Sequence, residues 1–274
     1  MIEVRDITFR YSRTGAEVFK RFSLRIEEGL VCGLLGKNGT GKSTLLYLLS
    51  GLLRPRRGRV FVDGVDVQAR RPALLRELFL VPEEIDLPDV SLDTFVRINE
   101  GFYPRFSHEV LRRSLVDFEL PPNPKLRRLS MGQKKKVYLS FALATGTRLL
   151  FMDEPTNGLD ISSKGQFRQA IVHSMTAGRT FLIATHQVHD IEPLLNHILI
   201  LDHSQLLLDA SVSEVCDRYS FESRQPSQMT ADVLYAEPTL QGNAVVAPRQ
   251  AGCPPTPLNL ELLFNATVKG LLRM

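Results

Sequence analysis

The chain has few cysteines, no internal repeat and no apolar run long enough to cross a membrane. Its three cysteines, Cys32, Cys216 and Cys253, are odd in number and far apart, and none belongs to a C-x-x-C pair. This spacing argues against a zinc site or a redox pair and favours a reducing compartment. The longest apolar stretches, such as residues 45–53, fall well short of the ~20 residues that a membrane-spanning helix needs.

A large excess of charge of one sign is also missing. The 274 residues include 34 basic and 30 acidic side chains, which gives a net charge of +4. This balance argues against nucleic acid as the main partner. The first residues, MIEVRDITFRY, have alternating charges and contain no apolar core, so we do not expect a signal peptide here. The remaining composition is globular, and at roughly 150 residues per domain it fits one large α/β domain with additions, or two smaller domains.

Strand patterns and helix patterns alternate along most of the chain. The predicted strands are 22–26, 30–35, 149–152, 180–184 and 198–201. The predicted helices around them are 43–53, 161–176 and 189–195. Such alternation is typical of a parallel sheet with crossover helices, and Asp63-Gly64 adds the signal of a hairpin turn.

Two regions depart from this alternation. Residues from about 88 to 147 carry only helical patterns and are expected to form a helical subdomain inserted into the α/β core; the predicted helices are 92–100, 108–118 and 131–145. After about residue 212, six prolines interrupt any long element, and only Leu258 to Lys269 has the pattern of a possible terminal helix. We therefore divide the chain into a core domain, 1–211, and a C-terminal extension, 212–274.

Residues 36–43, GKNGTGKS, fit the phosphate-loop pattern G-x-x-x-x-G-K-[ST] completely. The glycines allow backbone N–H groups to face phosphate oxygens, and the helix that follows adds the positive end of its dipole. Lys42 is expected to reach the β- and γ-phosphates, and the Ser43 hydroxyl to bind Mg²⁺. The nucleotide-binding residues predicted here are Gly36, Lys37, Asn38, Gly39, Thr40, Gly41, Lys42, Ser43 and Thr44.

Residues 149–154, LLFMDE, place two carboxylates at the end of an apolar strand. This is costly unless the carboxylates meet a cation or a reacting group. Asp153 is expected to hold the shell of the Mg²⁺ ion, and Glu154 to accept a proton from a water that attacks the γ-phosphate. The same pair could instead cap a helix, but the phosphate loop in the same chain favours the nucleotide site.

Three further segments complete a set: LSMGQ (129–133), NGLD (157–160) and His186. Together with GKNGTGKS and LLFMDE, and in this order, they resemble the ATP-binding cassette family over roughly residues 1–210. The resemblance implies an α/β fold: a P-loop NTPase core with a mainly parallel sheet, an N-terminal antiparallel β subdomain and the inserted helical subdomain. A GTPase is disfavoured because the sequence has no N/T-K-x-D motif.

The resemblance also implies a head-to-tail dimer, of two copies or of two paired cassettes, that encloses two ATP molecules. Each site would combine the phosphate loop of one chain with Ser130, Gly132 and Gln133 of the other. A helix N-terminus at Ser130 would offer a hydroxyl and N–H groups to the γ-phosphate, and Ser130 can cap that helix as well. Met131 stands where the family more usually has glycine. Asp160 would contact the opposite subunit, or else it is a turn residue.

Three single residues each have two interpretations. Tyr11 aligns with the aromatic residue that stacks on adenine in the family, although a core aromatic on a strand is the alternative. His186 would bind the γ-phosphate and position the water, or simply end its strand. Glu83 takes the place of the family's usual glutamine and would be an oxygen ligand for Mg²⁺, unless it is an exposed loop acid. His189 and the run Lys134–Lys136 are expected on the surface.

The resemblance implies an ATPase that powers transport by a separate integral membrane subunit, and residues 83–110 lie where the family's docking groove is expected. Leu258 to Lys269 loosely resembles the terminal helix of cassettes that serve ABC-2 exporters, which favours export. We expect a cytoplasmic chain, peripheral on the cytoplasmic face of the cell membrane, with ATP and Mg²⁺ as ligands and no nucleic acid partner. The alternatives are a soluble single-cassette ATPase in assembly or regulation, and a cassette that binds ATP without turnover.

Overall fold

The structure, a computed structural model, describes residues 1–250 and 252–272. In chain order the strands are β1 (Ile2–Phe9), β2 (Phe19–Ile26), β3 (Val31–Leu35), β4 (Arg57–Val62), β5 (Val65–Asp66), β6 (Leu78–Val81), β7 (Leu149–Asp153), β8 (Thr180–Thr185), β9 (His197–Asp202), β10 (Gln205–Ser211), β11 (Tyr219–Arg224), β12 (Tyr235–Thr239) and β13 (Gly242–Pro248). The α-helices are α1 (Lys42–Leu49), α2 (Pro72–Leu75), α3 (Leu92–Asn99), α4 (His108–Asp117), α5 (Met131–Ala144), α6 (Ile161–Ser174), α7 (Val188–Ile191), α8 (Val212–Arg218) and α9 (Leu260–Val268).

The central sheet has six strands in the order β10–β9–β3–β8–β7–β6. Neighbouring strands are parallel except β10, which runs antiparallel to β9. Every residue of β3, β7 and β8 is buried, as expected for parallel strands covered on both faces. Because β3, β8 and β7 are adjacent, the loops that follow them meet at one edge of the sheet, where α/β proteins usually bind ligands.

The first part of the chain forms a four-stranded antiparallel sheet, β2–β1–β4–β5. Its inner face and α1 pack against one face of the central sheet, so that Ile7, Leu45 and Phe151 share one apolar cluster. The predicted hairpin turn is confirmed: Asp63 and Gly64 both have positive φ, 48° and 76°, between the paired residues Val62 and Val65. The antiparallel N-terminal sheet of the predicted fold class is thus present.

Between β6 and β7 the chain is helical, as predicted, with α4 packed against α5. Residues of these helices, among them Leu115 and Phe141, belong to a second apolar cluster on the other face of the central sheet. Helices α3, α4 and α5 begin at side-chain caps, Ser91, Ser107 and Ser130. The fold class is therefore confirmed: a mainly parallel sheet, an antiparallel N-terminal sheet and an inserted helical region.

The sequence patterns missed β6, β10 and the whole of a third sheet, β11–β13–β12. The helix predicted for 189–195 is also partly wrong, because α7 ends at Ile191 and a 3₁₀ turn, Glu192–Leu194, replaces the rest. Pro193 has no N–H to donate within an α-helix, which accounts for the change.

The C-terminal residues pack onto the rest of the molecule. The possible terminal helix is present as α9, whose Leu260, Leu262, Leu263 and Ala266 are buried in the same cluster as the central sheet. Helix α9 contacts α7, β9, β10, β12 and β13. The division of the chain at residue 211 stays a prediction. Among the helices that the structure describes, none is long and apolar enough to cross a bilayer.

Candidate functional site

The phosphate-loop residues form the turn between β3 and α1. A Cβ on Gly36 would lie 2.6 Å from the carbonyl oxygen of Leu201, so a side chain cannot fit there. Gly41, the residue before α1, has a left-handed φ of 103°, which glycine adopts without strain. No side chain caps the N-terminus of α1, and its first turn contains no acid. The N–H groups at this end are therefore available to an anion.

Lys42, the first residue of α1, holds its ammonium group beneath the loop. Nζ donates to the carbonyl oxygens of Gly36 at 2.8 Å and Lys37 at 3.1 Å, and it lies 3.7 Å from Oε1 of Glu154. Burial lowers the pKa of Lys42, while Glu154 and Asp153 act in the opposite direction. The loop thus presents a fixed positive charge opposite a pair of carboxylates.

Asp153, the last residue of β7, is buried beside Ser43. Its Oδ1 has no hydrogen-bond partner among the described residues. Burial raises the pKa of Asp153, and the nearby Ser43 hydroxyl opposes this shift. A buried, unsatisfied carboxylate oxygen is unfavourable unless a cation binds it, so Asp153 and Ser43 fit a Mg²⁺ ion.

The residues present suit Mg²⁺ bound together with phosphates better than a metal held by protein alone. In the described part of the chain, no group of three or more His, Cys, Asp or Glu side chains could hold a metal ion. Mg²⁺ usually takes one or two carboxylates and completes its shell with water and substrate phosphates. Asp153 and the Ser43 hydroxyl match that pattern.

Glu154 has the most hydrogen-bonded carboxylate of the site. Oε2 accepts from the Thr185 hydroxyl at 2.8 Å, while Oε1 accepts from the backbone N–H of His186 at 3.1 Å and lies 2.8 Å from Nδ1 of the same histidine. The residue is 5% exposed and has a left-handed φ of 44°. These contacts fix the carboxylate and the imidazole relative to each other at the ends of β7 and β8.

A cavity of about 520 Å³ brings these groups together. Its lining includes most of the predicted site residues and one residue from the NGLD segment: Tyr11, Asn38, Gly39, Gly41, Lys42, Ser43, Thr44, Glu83, Glu154, Asn157 and His186. Glu83 is exposed but faces the cavity, where its Oε1 accepts from the amide of Asn157 at 2.9 Å. The structure thus gathers residues that are up to 175 positions apart in the sequence, Tyr11 and His186.

Tyr11 lies beyond the end of β1 and is 65% exposed. Its ring contacts Phe9 edge-on, and its hydroxyl is 2.9 Å from Oγ1 of Thr44. The alternative of a core aromatic is therefore wrong. An exposed ring beside the phosphate loop leaves a face for a base to stack on, and adenine stacking stays a prediction.

The predicted residues of the LSMGQ segment do not line this cavity. Ser130 caps α5: its hydroxyl accepts from the N–H of Gln133 at 3.3 Å, and the Gln133 side chain accepts from the N–H of Ser130 at 3.1 Å. Gly132 lies near the carbonyl oxygen of Gly158, and Asp160 caps α6 through the N–H of Ser163 at 2.7 Å. Ser130, Gln133 and Asp160 are exposed, so they are free to meet a second chain.

Lys135 departs from the surface placement predicted for Lys134–Lys136. It is 6% exposed, and its Nζ donates to the carbonyl oxygens of Glu154 and Asn157, both at 3.0 Å. Sequence reasoning missed Lys135, Asn157 and Thr185 as residues of the site. Asn157 could have been predicted, because it begins the NGLD segment. The run of three lysines, in contrast, does not indicate which of the three side chains is buried.

A family model described as "ABC transporter" matches residues 19–157. The chain is 31% identical over 221 residues to the ABC transporter ATP-binding protein YtrB of Bacillus subtilis, covering 80% of this chain and 75% of the relative. It is also 31% identical to a Nod factor export ATP-binding protein I of Cupriavidus metallidurans, over 73% and 68% of the two chains. A cobalt import ATP-binding protein, CbiO of Salmonella typhi, is 33% identical over 78% and 82%.

Among solved structures, a similar fold occurs in the ATP-binding cassette MJ0796, whose dimer was determined with ADP and Pi bound. The TM-score is 0.67 at 23% identity, with 77% of this chain and 99% of that chain covered. This similarity supports the α/β arrangement described above.

Proposed function

Because the chain belongs to the ABC transporter family, as one of its ATP-binding ATPase subunits, we propose that it hydrolyses ATP within a dimer and thereby energises a separate membrane-spanning subunit. The observation that carries the proposal is the Glu154–His186 pair, joined at 2.8 Å, with Oε1 of Glu154 3.7 Å from Nζ of Lys42. A fixed base opposite a phosphate-binding loop is the arrangement that water attack on a terminal phosphate requires.

In the proposed reaction the residues of one chain bind and orient ATP. Tyr11 stacks on the adenine, the N–H groups at the start of α1 hold the phosphates, and Lys42 neutralises the β- and γ-phosphates. Bound Mg²⁺, held by Ser43 and Asp153 with Glu83 near, would stabilise negative charge on the phosphates. Glu154 takes the proton of the attacking water, and His186 contacts the γ-phosphate and keeps the water in place.

The second chain is proposed to supply Ser130, Gly132 and Gln133, with Asp160 at the contact between the chains. Ser130, Gln133 and Asp160 are exposed, and none of these four residues lines the cavity, which supports a contact with a second chain. MJ0796, which shares the fold, is a dimer with ADP and Pi. A homodimer and a pair of different cassettes both satisfy the geometry.

Membership of the family supports the proposal that the chain powers transport, and the names of the relatives include both exporters and importers. One exports Nod factors and another imports cobalt. We propose export, since α9 lies where the sequence resembles the terminal helix of cassettes serving ABC-2 exporters. The chain would then sit on the cytoplasmic face of the membrane, held there by its partner.

The chemical step is tested by Glu154→Gln in the purified chain. Glutamine keeps the size of the side chain but cannot accept a proton, so hydrolysis should fall by roughly 10²–10⁴-fold while ATP still binds. Glu84→Gln, a change of an exposed acid outside the cavity lining, is the matched control and should keep the full rate. Undiminished turnover by Glu154→Gln would exclude Glu154 as the base.

The direction of transport can be tested without knowing the cargo. Cells that lack the gene, or carry it with Glu154→Gln, are compared with the parent by untargeted mass spectrometry of cell extract and medium. Export predicts a compound that accumulates inside and is depleted outside in both mutants. The opposite shift would establish import instead.

A further inference from the structure

Lys135 is a charged side chain buried directly behind the Glu154 backbone. It is 6% exposed, and its ammonium group donates to the carbonyl oxygens of Glu154 and Asn157. Burying an ammonium group is costly unless its N–H groups are satisfied and negative groups lie near. An apolar side chain of similar length would fill the same space without that cost, so packing alone does not explain the charge.

The two carbonyl groups bracket residues 154–157, the segment that carries two groups lining the cavity. Glu154 has a φ of 44°, a conformation that a non-glycine residue keeps only when its surroundings hold it. At the other end, the Asn157 amide donates to Glu83 at 2.9 Å. One ammonium group thus fixes the backbone from which both the Glu154 carboxylate and the Asn157 amide enter the cavity.

The charges around Lys135 suit this role. Glu83, Glu154 and Asp153 all favour its charged form and partly offset the effect of burial, which lowers the pKa of Lys135. A charge-assisted hydrogen bond to a carbonyl is stronger than a neutral one, so the hold on the segment depends on the ammonium.

We propose that Lys135 is a positioning residue for ATP hydrolysis, holding segment 154–157 against α5 and so setting where the Glu154 carboxylate stands relative to the attacking water. The inference rests on the proposed function, in which Glu154 is the base. Lys135 lies on α5, the helix that Ser130 caps. It therefore connects two places: the N-terminus of α5, which is proposed to meet the nucleotide of the partner chain, and Glu154, the proposed general base of its own chain.

The first experiment compares Lys135→Met, Lys135→Gln and Lys134→Met in the full chain. Methionine and glutamine are both one atom shorter than lysine; methionine has no hydrogen-bond donor, whereas glutamine keeps an N–H donor at its end. A displaced base costs up to about 10²-fold in rate, so Lys135→Met should lower kcat by about 10- to 10²-fold with little change in KM for ATP. Lys135→Gln should recover part of the loss. Lys134→Met removes a neighbouring lysine with no hydrogen bond from its side chain among the described residues, and should retain kcat.

The second experiment repeats Lys135→Met in the Glu154→Gln background, with residual hydrolysis followed in single turnovers. If Lys135 acts through Glu154, the second change should cost little once the carboxylate is gone. An equal fold-loss in both backgrounds, or an unchanged kcat in Lys135→Met, would overturn the proposal. ATP titration verifies that each variant is folded. If Glu154→Gln alone hydrolysed ATP as fast as the wild type, the proposed function would be refuted instead, so the two failures can be told apart.

Discussion

Two helices of this molecule begin at ends that are proposed to meet phosphate, and the two ends are built differently. The N-terminus of α1 follows a left-handed glycine, Gly41, and has no side-chain cap. The N-terminus of α5 is closed by a capping box, in which Ser130 and Gln133 satisfy each other's N–H groups. An uncapped end leaves orphan donors that favour a bound anion, whereas a capped end is stable without one.

The difference suggests a division of labour. In the proposed function the α1 end acts together with Lys42, Asp153 and Glu154 of its own chain, so one chain would bind ATP there without a partner. The α5 end must exchange capping bonds for bonds to a phosphate, and the net gain of such an exchange is modest. It is therefore suited to a contact that forms when two chains close and is released when they part.

The largest expected effect comes from separating the two ends into different chains. Lys42→Ala damages the α1 end and Ser130→Arg the α5 end, so each protein alone should be inactive. In a mixed dimer one composite site is damaged twice and the other is intact. An equimolar mixture should therefore regain roughly a quarter of wild-type hydrolysis if chains pair at random and sites act independently.

A matched control tests the geometry of this rescue. Lys42→Ala mixed with Glu154→Gln should stay inactive, because both residues line the cavity of the same chain. Rescue by this second pair as well, or by neither pair in verified mixed dimers, would contradict the split site.

A smaller effect should come from Ser130→Ala, which removes the side-chain cap at the N-terminus of α5. Loss of a serine cap costs about 0.5–2 kcal/mol in the free energy of unfolding, measured by urea denaturation. The Ser107 hydroxyl caps α4 by accepting from the N–H of Val110 at 3.2 Å. Ser107→Ala removes this cap and should lower the free energy of unfolding by a similar amount. Only Ser130→Ala should also lower hydrolysis. Equal hydrolysis in the two variants would leave Ser130 as a cap and no more.

The smallest effect concerns the charge that faces α1. Glu83 lines the cavity as a carboxylate, which repels triphosphate when no metal is bound. Glu83→Gln should therefore bind ATP a few-fold better in chelator, where one carboxylate fewer repels it, and about equally with Mg²⁺. Titrations of both proteins with and without Mg²⁺ measure this. The same dependence on Mg²⁺ in both would mean that Glu83 does not act on the nucleotide.

The motifs predicted much of the edge of the central sheet where the loops after β3, β7 and β8 meet, because each motif requires its own local geometry. GKNGTGKS specifies a strand, a tight turn and a helix, and the buried β3 and α1 are found where it places them. An apolar strand that ends in Asp153 and Glu154 likewise must carry them to the same edge as β3. These residues come together because parallel neighbours end at one edge of the sheet.

The missed elements have physical reasons. The prolines after about residue 212 predict that no long element forms there, yet Pro238 lies in β12, an edge strand, where a missing N–H costs little. Pro248 ends β13. Lys135 could not be singled out, because consecutive helical residues point about 100° apart and a run of three lysines therefore has no single face. Its burial depends on the Glu154–Asn157 segment, which is brought near only by the fold.

The packing of α9 has a consequence for how the molecule comes apart. Its buried leucines share one apolar cluster with Phe181 and Ile198 of the central sheet, and the backbone N–H of Leu260 donates to Glu192, just beyond α7. Among the described residues, Phe221 of β11 and Val246 of β13 belong to the same cluster, so the C-terminal strands and the cassette should melt together in a single cooperative transition. In evolutionary terms, a gene fusion that exchanged the C-terminal extension should therefore succeed only if the new segment brings an apolar face that matches the central sheet.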